Sequence, residues 1–511
     1  LSLKDQGLWL RQNAGRIGLW ILLVAAAYLY YRNLSGVIYL TEDEARPFAL
    51  FQTGPLLCLV CKPVYDFFRE QSAVFYLVST LGLVSVYFFY KICCFFLDEK
   101  STLVALFFYA FYPLRYDYIR SLYPGTFVEF FFLAALLCAL IGILRGRVLF
   151  FVVSGFLCAS AMFAHYFAYE MVFGVFAGSV YLLWTKNPEK RGRALSVFVL
   201  LFLGGIALGY FVLNQWLLAK GYNYWERFLA MRGTEQFYAT HGRNHMLVFL
   251  GGEFRRIVAL GPAIILFVLV SIGACATSAF AAIKERFKEL RFFFVVWGGG
   301  ALFFTVVAFF LHTVEERHYV WLGGLVAVCL AFIAREIARS PRSVLKGLGA
   351  IAMGAFAVFF LVQDAAASQE VFKMKTITQW LEENGIARHQ VLTMWWQIDD
   401  GRDNLPSNRI PVNRMTDGKY PASLWYLDNP RFYVNWKQTL FGYRSGFRFL
   451  MTSGIETHVR TATDEKVLQS FKPLMSWAHP YSAFRHRFFY EPDTNYRIEI
   501  YDLKEIFKKI I

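Results

Sequence analysis

Apolar residues in this chain fall in continuous runs, not in the alternating pattern of a half-buried strand. Eleven runs are legible, near residues 17–31, 72–97, 102–114, 124–144, 148–164, 167–184, 194–214, 258–282, 293–311, 318–334 and 347–363. A helix needs about 20 apolar residues to cross a bilayer, and lipid tolerates only helices or closed barrels, whose strands would alternate. The runs therefore predict membrane helices. The runs at 17–31 and 102–114 are short, so a full crossing there requires the helix to extend into its flanks. Residues 148–184 are too long for one simple span, and His165-Tyr166 is the expected turn between two.

After Gln363 the pattern changes, which divides the chain into a membrane part, 1–363, and a tail, 364–511, long enough for its own core. The tail reads as α/β. Lys375 to Asn384 has a helical pattern with Gly385 as its stop, Gln390 to Trp396 and Arg497 to Tyr501 read as strands, and Leu405 to Pro421 is a loop. The expected fold is thus all-α in the membrane, with about eleven transmembrane helices, followed by a soluble α/β domain.

Composition agrees: 57% of the 511 residues are hydrophobic and 17% are charged, against roughly 25% charged in a soluble domain. The apolar run after Arg11 and Arg16 has no small-residue cleavage site and is read as an anchor. Orientation follows from lysine and arginine. With the N-terminus inside, the inner loops contain Arg145-Gly146-Arg147, Lys186 to Arg193, Lys284 to Arg291 and Arg335 to Lys346, all basic. Eleven spans then place the tail on the extracytoplasmic side. The formal charge of +15 is accounted for by these loops, and no nucleic-acid partner is expected. The outer loops are 32–71 and 215–256. Most of the eight cysteines sit in apolar runs and read as small hydrophobes. Cys58 and Cys61 form a C-x-x-C that reads as two small residues on a helical face, with a disulfide as the alternative.

Candidate chemistry gathers at the outer ends of the runs. Thr41-Glu42-Asp43-Glu44 fits a capping box at a helix start, or supplies a carboxylate that acts as a general base near the membrane surface. Arg115-Tyr116-Asp117-Tyr118-Ile119-Arg120 lies outside between two runs, and Glu129 falls inside one, where an ionisable group is costly and is either paired or functional. The outer segment 215–256 carries Lys220, Arg227, Arg232, Arg243, Arg255 and Arg256, and Glu315-Glu316-Arg317-His318 follows in the next outer turn. Arginines disfavoured there by the positive-inside rule either pair with acids such as Glu253 and Glu316 or bind a lipid phosphate through their fork. His241 and His245 have metal-ligand spacing, but Gly242 and Asn244 favour a loop.

Together these residues resemble the GT-C superfamily of glycosyltransferases, in the branch of protein O-mannosyltransferases and lipid A aminoarabinose transferases. The resemblance rests on Asp43-Glu44-Ala45 after the first run, on Pro113, Arg115, Arg120 and Pro124 before a phenylalanine-rich run, on Gly155 to Tyr169, and on Glu316-Arg317-His318-Tyr319 opening a late run. The tail with Arg497-Ile498-Glu499-Ile500-Tyr501 resembles the family's external α/β domain. The resemblance implies transfer of a sugar from a polyprenyl-phosphate donor at the outer face of the cell inner membrane to a glycan, lipid or protein acceptor. It matches Asp43 to the catalytic base, with Glu44, Asp117 and Glu129 as further acidic candidates. It matches Arg317 to the donor phosphate, with Arg115, Arg120, Arg255 and Arg256 as further cations. A divalent metal ion is the only cofactor for which it leaves room. Relatives place an acid near the start of the fourth span, where this chain has Tyr123-Pro124-Gly125-Thr126. Two other classes fit a multi-span chain: a transporter, which would carry charges within broken spans, and a non-catalytic scaffold subunit, which would lack the acidic pair.

Overall fold

The computed structural model describes residues 3–34, 55–68, 71–120, 124–165, 168–186, 189, 191–219, 262–283, 288–303, 321–369, 380–386, 390–394, 432–433, 443–444, 446, 448–453, 470–479 and 496–510. Thirteen helices occupy the described residues of the membrane part. The first is α1 (Leu3–Tyr31), and α2 (Pro55–Phe68) lies within the segment read as an outer loop. This helix starts on a proline, which suits the first helical position, and buries Leu56, Leu59 and Cys61. Cys61, the second cysteine of the C-x-x-C, is wholly buried.

Helix α3 is Gln71–Cys93 and α4 is Glu99–Ala110. Asp98 caps α4, accepting from the Ser101 N–H at 2.9 Å and from its hydroxyl at 3.0 Å. The run expected through 114 ends at Ala110, and α5 (Pro113–Ile119) restarts beyond it. Pro113 has no N–H to give and disfavours helical geometry at Tyr112, which is extended at ψ 113°.

Helix α6 (Gly125–Arg145) stops at Gly146, whose φ of +67° is the left-handed conformation that glycine adopts without strain. Then come α7 (Leu149–Ala164) and α8 (Tyr169–Lys186), separated at an extended His165 where the turn was expected. Helix α9 is Arg191–Ala219, α10 is Pro262–Ile283 and α11 is Lys288–Phe293. A π turn over Phe294–Gly298 follows α11, and the helix continues to 303. The membrane part closes with α12 (Gly323–Arg339) and α13 (Ser343–Gln369). Among the described residues, five helices are long and apolar enough to cross a membrane: α1, α3, α6, α9 and α13. Leu149–Ala164, Leu269–Ala282 and Leu290–Phe303 are shorter apolar helices.

Small residues let these helices meet closely. A side chain on Gly155 of α7 would collide with the Phe202 carbonyl of α9, and one on Gly205 of α9 with the Val152 carbonyl of α7. Lipid tails are as apolar as the helices, so such backbone-on-backbone packing replaces the hydrophobic drive that water would supply. Aromatic rings fill the centre. Trp297, thrown inward by the π turn, stacks on Phe293 and meets Phe89 and Phe132 edge-on.

The tail contains a five-stranded mixed sheet in the order β2-β1-β3-β5-β4, with β1 Val391–Met394, β2 Phe432–Tyr433, β3 Phe449–Ser453, β4 Met475–His479 and β5 Tyr496–Asp502. Strand β1 runs parallel to β2 and β3, and β5 runs antiparallel to β3 and β4. Strands β1 and β5 fall on the two stretches read as strands. Helix α14 (Leu503–Ile510) packs Leu503, Ile506 and Phe507 with Leu450 and Tyr501 of the sheet.

Candidate functional site

Residues at one end of α1, α4, α5 and α6 converge on a buried polar cluster. Its centre is Arg115, one of the largest wholly buried side chains. The break at Pro113 makes this possible, because α5 turns away from α4 and carries its charged residues back against the end of α1. The Arg115 Nε donates to both carboxylate oxygens of Glu129, at 3.0 and 2.9 Å. Its Nη1 donates to the Tyr30 hydroxyl at 2.8 Å and its Nη2 to the Gly82 carbonyl at 2.9 Å. Tyr109 donates to Glu129 Oε1 at 2.7 Å, and its ring lies 4.1 Å from the Arg115 guanidinium carbon. Five helices thus meet in one network: α1 through Tyr30, α3 through Gly82, α4 through Tyr109, α5 through Arg115 and α6 through Glu129.

A second set of bonds ties α5 to the end of α1. The Tyr30 hydroxyl donates to the Ala110 carbonyl at 2.6 Å, and the Tyr116 hydroxyl to the Leu29 carbonyl at 2.8 Å. Arg120, which caps α5 and is buried, donates through Nη1 to the Tyr116 hydroxyl at 2.6 Å and to Leu29 at 3.3 Å. Its other terminal nitrogen, Nη2, is buried with no hydrogen-bond partner, and no carboxylate pairs with Arg120 among the described residues. A buried guanidinium without a counter-charge is costly, so it is ready to take an anion.

The neighbouring end of α8 holds Glu170, buried among α8, Gly300 and Trp321. The Trp321 indole is hydrogen-bonded to its carboxylate, while Oε2 is buried without a partner among the described residues. Trp321 is fixed in turn by the Trp297 Nε1, which donates to its carbonyl at 3.1 Å, and by Phe132, whose ring centre is 6.0 Å away. Phe132 lies on α6 one turn beyond Glu129.

The structure therefore brings Arg115, Arg120 and Glu129 together. Asp43, Glu44, Arg255, Arg256 and Arg317 lie outside the described residues, as do His241 and His245. Asp117 lies on α5, and its side chain is likewise outside what is described. Sequence reasoning missed Glu170, although the signal was the one that singled out Glu129: an acid just inside an apolar run. The motif quoted for the fifth and sixth runs ended at Tyr169, one residue short. Among the described residues no three histidine, cysteine or acidic side chains are grouped to hold a metal ion.

Three comparisons bear on this arrangement. Residues 53–216 match the family model described as dolichyl-phosphate-mannose-protein mannosyltransferase. No curated protein sequence matches the chain significantly. Among solved structures, the chain is similar to the archaeal oligosaccharyltransferase AglB from Archaeoglobus fulgidus in complex with an inhibitory peptide and a dolichol-phosphate. That match has 12% identity and a TM-score of 0.44, and covers 87% of this chain and 70% of the other. It is also similar to the Archaeoglobus fulgidus oligosaccharyltransferase in complex with Zn and sulfate, at 11% identity and a TM-score of 0.41, over 86% of this chain and 68% of the other. Overlaps this loose carry no weight by themselves. The family match spans α2 to α9, and so includes Arg115, Arg120, Glu129 and Glu170. It supports placing this chain among the membrane glycosyltransferases of the GT-C superfamily.

Proposed function

We propose that the chain transfers a sugar from a polyprenyl-phosphate donor to a glycan, lipid or protein acceptor at the outer face of the cell inner membrane. The observation that carries this reading is Arg120, a buried guanidinium at the junction of α1 and α5 with one nitrogen uncommitted. It is the kind of group that a lipid phosphate would satisfy. The family description, which names a dolichyl-phosphate sugar as donor, supports the same chemistry. In this reading the chain crosses the membrane eleven times, its basic loops face the cytoplasm, and residues 364–511 form an α/β domain on the far side.

The reaction is a single displacement. The acceptor hydroxyl attacks the anomeric carbon from the face opposite the phosphate, and the bond from that carbon to the phosphate oxygen breaks. The polyprenyl phosphate leaves with the electron pair. Asp43, which follows α1 in sequence, takes the hydroxyl proton. Arg317 and Arg120 bind the phosphate and hold the charge that grows on it in the transition state. No step is routed through a metal ion.

The test is transfer by the purified full chain in lipid nanodiscs, with radiolabelled dolichyl-phosphate mannose as donor and with donor binding measured separately. Asp43→Asn keeps the shape but cannot take the proton, so transfer should fall about 10² to 10⁴-fold with donor binding retained. Arg317→Ala should lose donor affinity as well as rate, because its contact is partly made in the ground state. Near-normal transfer by Asp43→Asn would remove the base assignment. If the wild-type chain neither binds nor consumes the donor, the scaffold reading replaces this one.

A further inference from the structure

We infer that Arg115 and Glu129 touch neither donor nor acceptor and instead act as a positioning pair that sets Arg120 in place. The inference rests on the reading of Arg120 as a phosphate ligand. Every donor-bearing nitrogen of Arg115 already has a partner within the protein: both Glu129 oxygens, the Tyr30 hydroxyl and the Gly82 carbonyl. Glu129 is committed in the same way, to Arg115 and to Tyr109. The three nitrogens of Arg115 and both oxygens of Glu129 are thus engaged within the protein, and both side chains are buried.

The network acts on Arg120 through two routes. Arg115 and Arg120 share α5, a helix of seven residues that is too short to hold its own direction. The Arg115–Glu129 pair anchors the start of that helix to α6, and the Arg115–Tyr30 bond anchors it to the end of α1. From that anchored start, Tyr116 and Arg120 reach Leu29 on the same α1 terminus. Smaller bonds hold the far end of α5: Ser79 donates to the Ile119 carbonyl at 3.1 Å and Thr126 to the Tyr118 carbonyl at 3.0 Å. A shift at Arg115 therefore moves the only guanidinium of the cluster that keeps an uncommitted nitrogen.

The experiment measures binding of dolichyl phosphate, carrying no sugar, to the purified full chain in nanodiscs, alongside its thermal unfolding. Arg115→Met and Glu129→Gln should each weaken binding about 10- to 100-fold, the size expected for a misplacement of about 1 Å. The triple variant Arg115→Met, Glu129→Leu, Tyr109→Phe replaces the charged network with apolar groups of similar shape and leaves no charge unpaired. It should bring affinity back to within about threefold of wild type. A ligand-touching role predicts the reverse, since the triple variant lacks every group in question. A triple variant that binds as weakly as the single ones, or single variants that bind like wild type, would overturn the inference. If the single variants yield no folded protein, Tyr30→Phe takes their place. It removes one Arg115 contact and should cost severalfold in affinity, and an unchanged affinity counts against the positioning role. Arg120→Ala separates the two levels. Binding lost in Arg120→Ala but unaffected by the network variants sinks this inference alone, whereas unchanged binding in Arg120→Ala sinks the phosphate reading and the inference with it.

Discussion

Glu129 and Glu170 each carry a carboxylate into the first turns of a largely apolar helix, and the protein accommodates them in opposite ways. Glu129 receives both of its oxygens' bonds from Arg115, with Tyr109 adding another. Glu170 has the Trp321 indole on its carboxylate, and its Oε2 has no partner among the described residues. The cations show the same contrast. Each nitrogen of Arg115 has a partner, while Arg120, five residues on, has one nitrogen without any. A buried ionisable group whose polar atoms are engaged by its neighbours holds helices together. One with a polar atom left unpartnered costs the fold stability and is available to something else. Sequence position does not separate the two kinds, since all four residues lie at run ends on the same side of the expected membrane.

The largest expected effect is in the paired region. Glu129→Ala leaves the Arg115 guanidinium buried without a counter-charge and should cost about 3–5 kcal/mol of stability, read as a large fall in unfolding temperature in detergent. A change within experimental scatter would show that the pair is not what joins the five helices. The next tests the other region. Glu170→Gln keeps a side chain of the same shape against Trp321 and changes no ion pair among the described residues, so stability should stay within about 1 kcal/mol of wild type. A loss as large as that of Glu129→Ala would mean that Glu170 is paired after all, and the contrast would collapse.

The smallest effect comes from an acid in the turn between α3 and α4. Asp98 is half-exposed and caps α4. Partial burial pushes its carboxyl up, but the Ser101 N–H and hydroxyl, with Arg335 and Arg339 nearby, outweigh this and hold it below the ordinary carboxylate range. A depressed acid contributes stability above its unfolded value, near 3.9, and that contribution is lost as the pH falls through the lower folded value. Asp98→Ala should cost about 1 kcal/mol at neutral pH, and the gap to wild type should close in strong acid. A gap that persists there would assign the effect to something other than the cap.

Much of the helical layout was legible because a continuous apolar run has few other uses. Breaks were legible only in part. Gly146 and His165 end helices where the pattern suggested, but Pro113 was absorbed into a run that it in fact terminates. Helix α2 was legible only as the helical face of the C-x-x-C, because Lys62, Pro63 and Asp66 interrupt its apolar residues. The π turn over Phe294–Gly298 leaves no mark in the sequence, since the extra residue in the turn is as apolar as its neighbours. In the site, Arg115, Arg120 and Glu129 were picked out as charges near or within apolar runs. Their division of labour was not legible. Arg115 and Glu129 are 14 residues apart across a helix break, and only the folded chain shows that one guanidinium is consumed by that pairing and the other is not.

The account turns on where a lipid phosphate sits. An experimental map of the full chain with dolichyl phosphate bound decides it most directly. The account predicts phosphate density about 3 Å from Arg120 Nη2, at the junction of α1 and α5, with the Arg115–Glu129 pair intact behind it. Phosphate bound elsewhere, with Arg120 Nη2 left unoccupied, would contradict it.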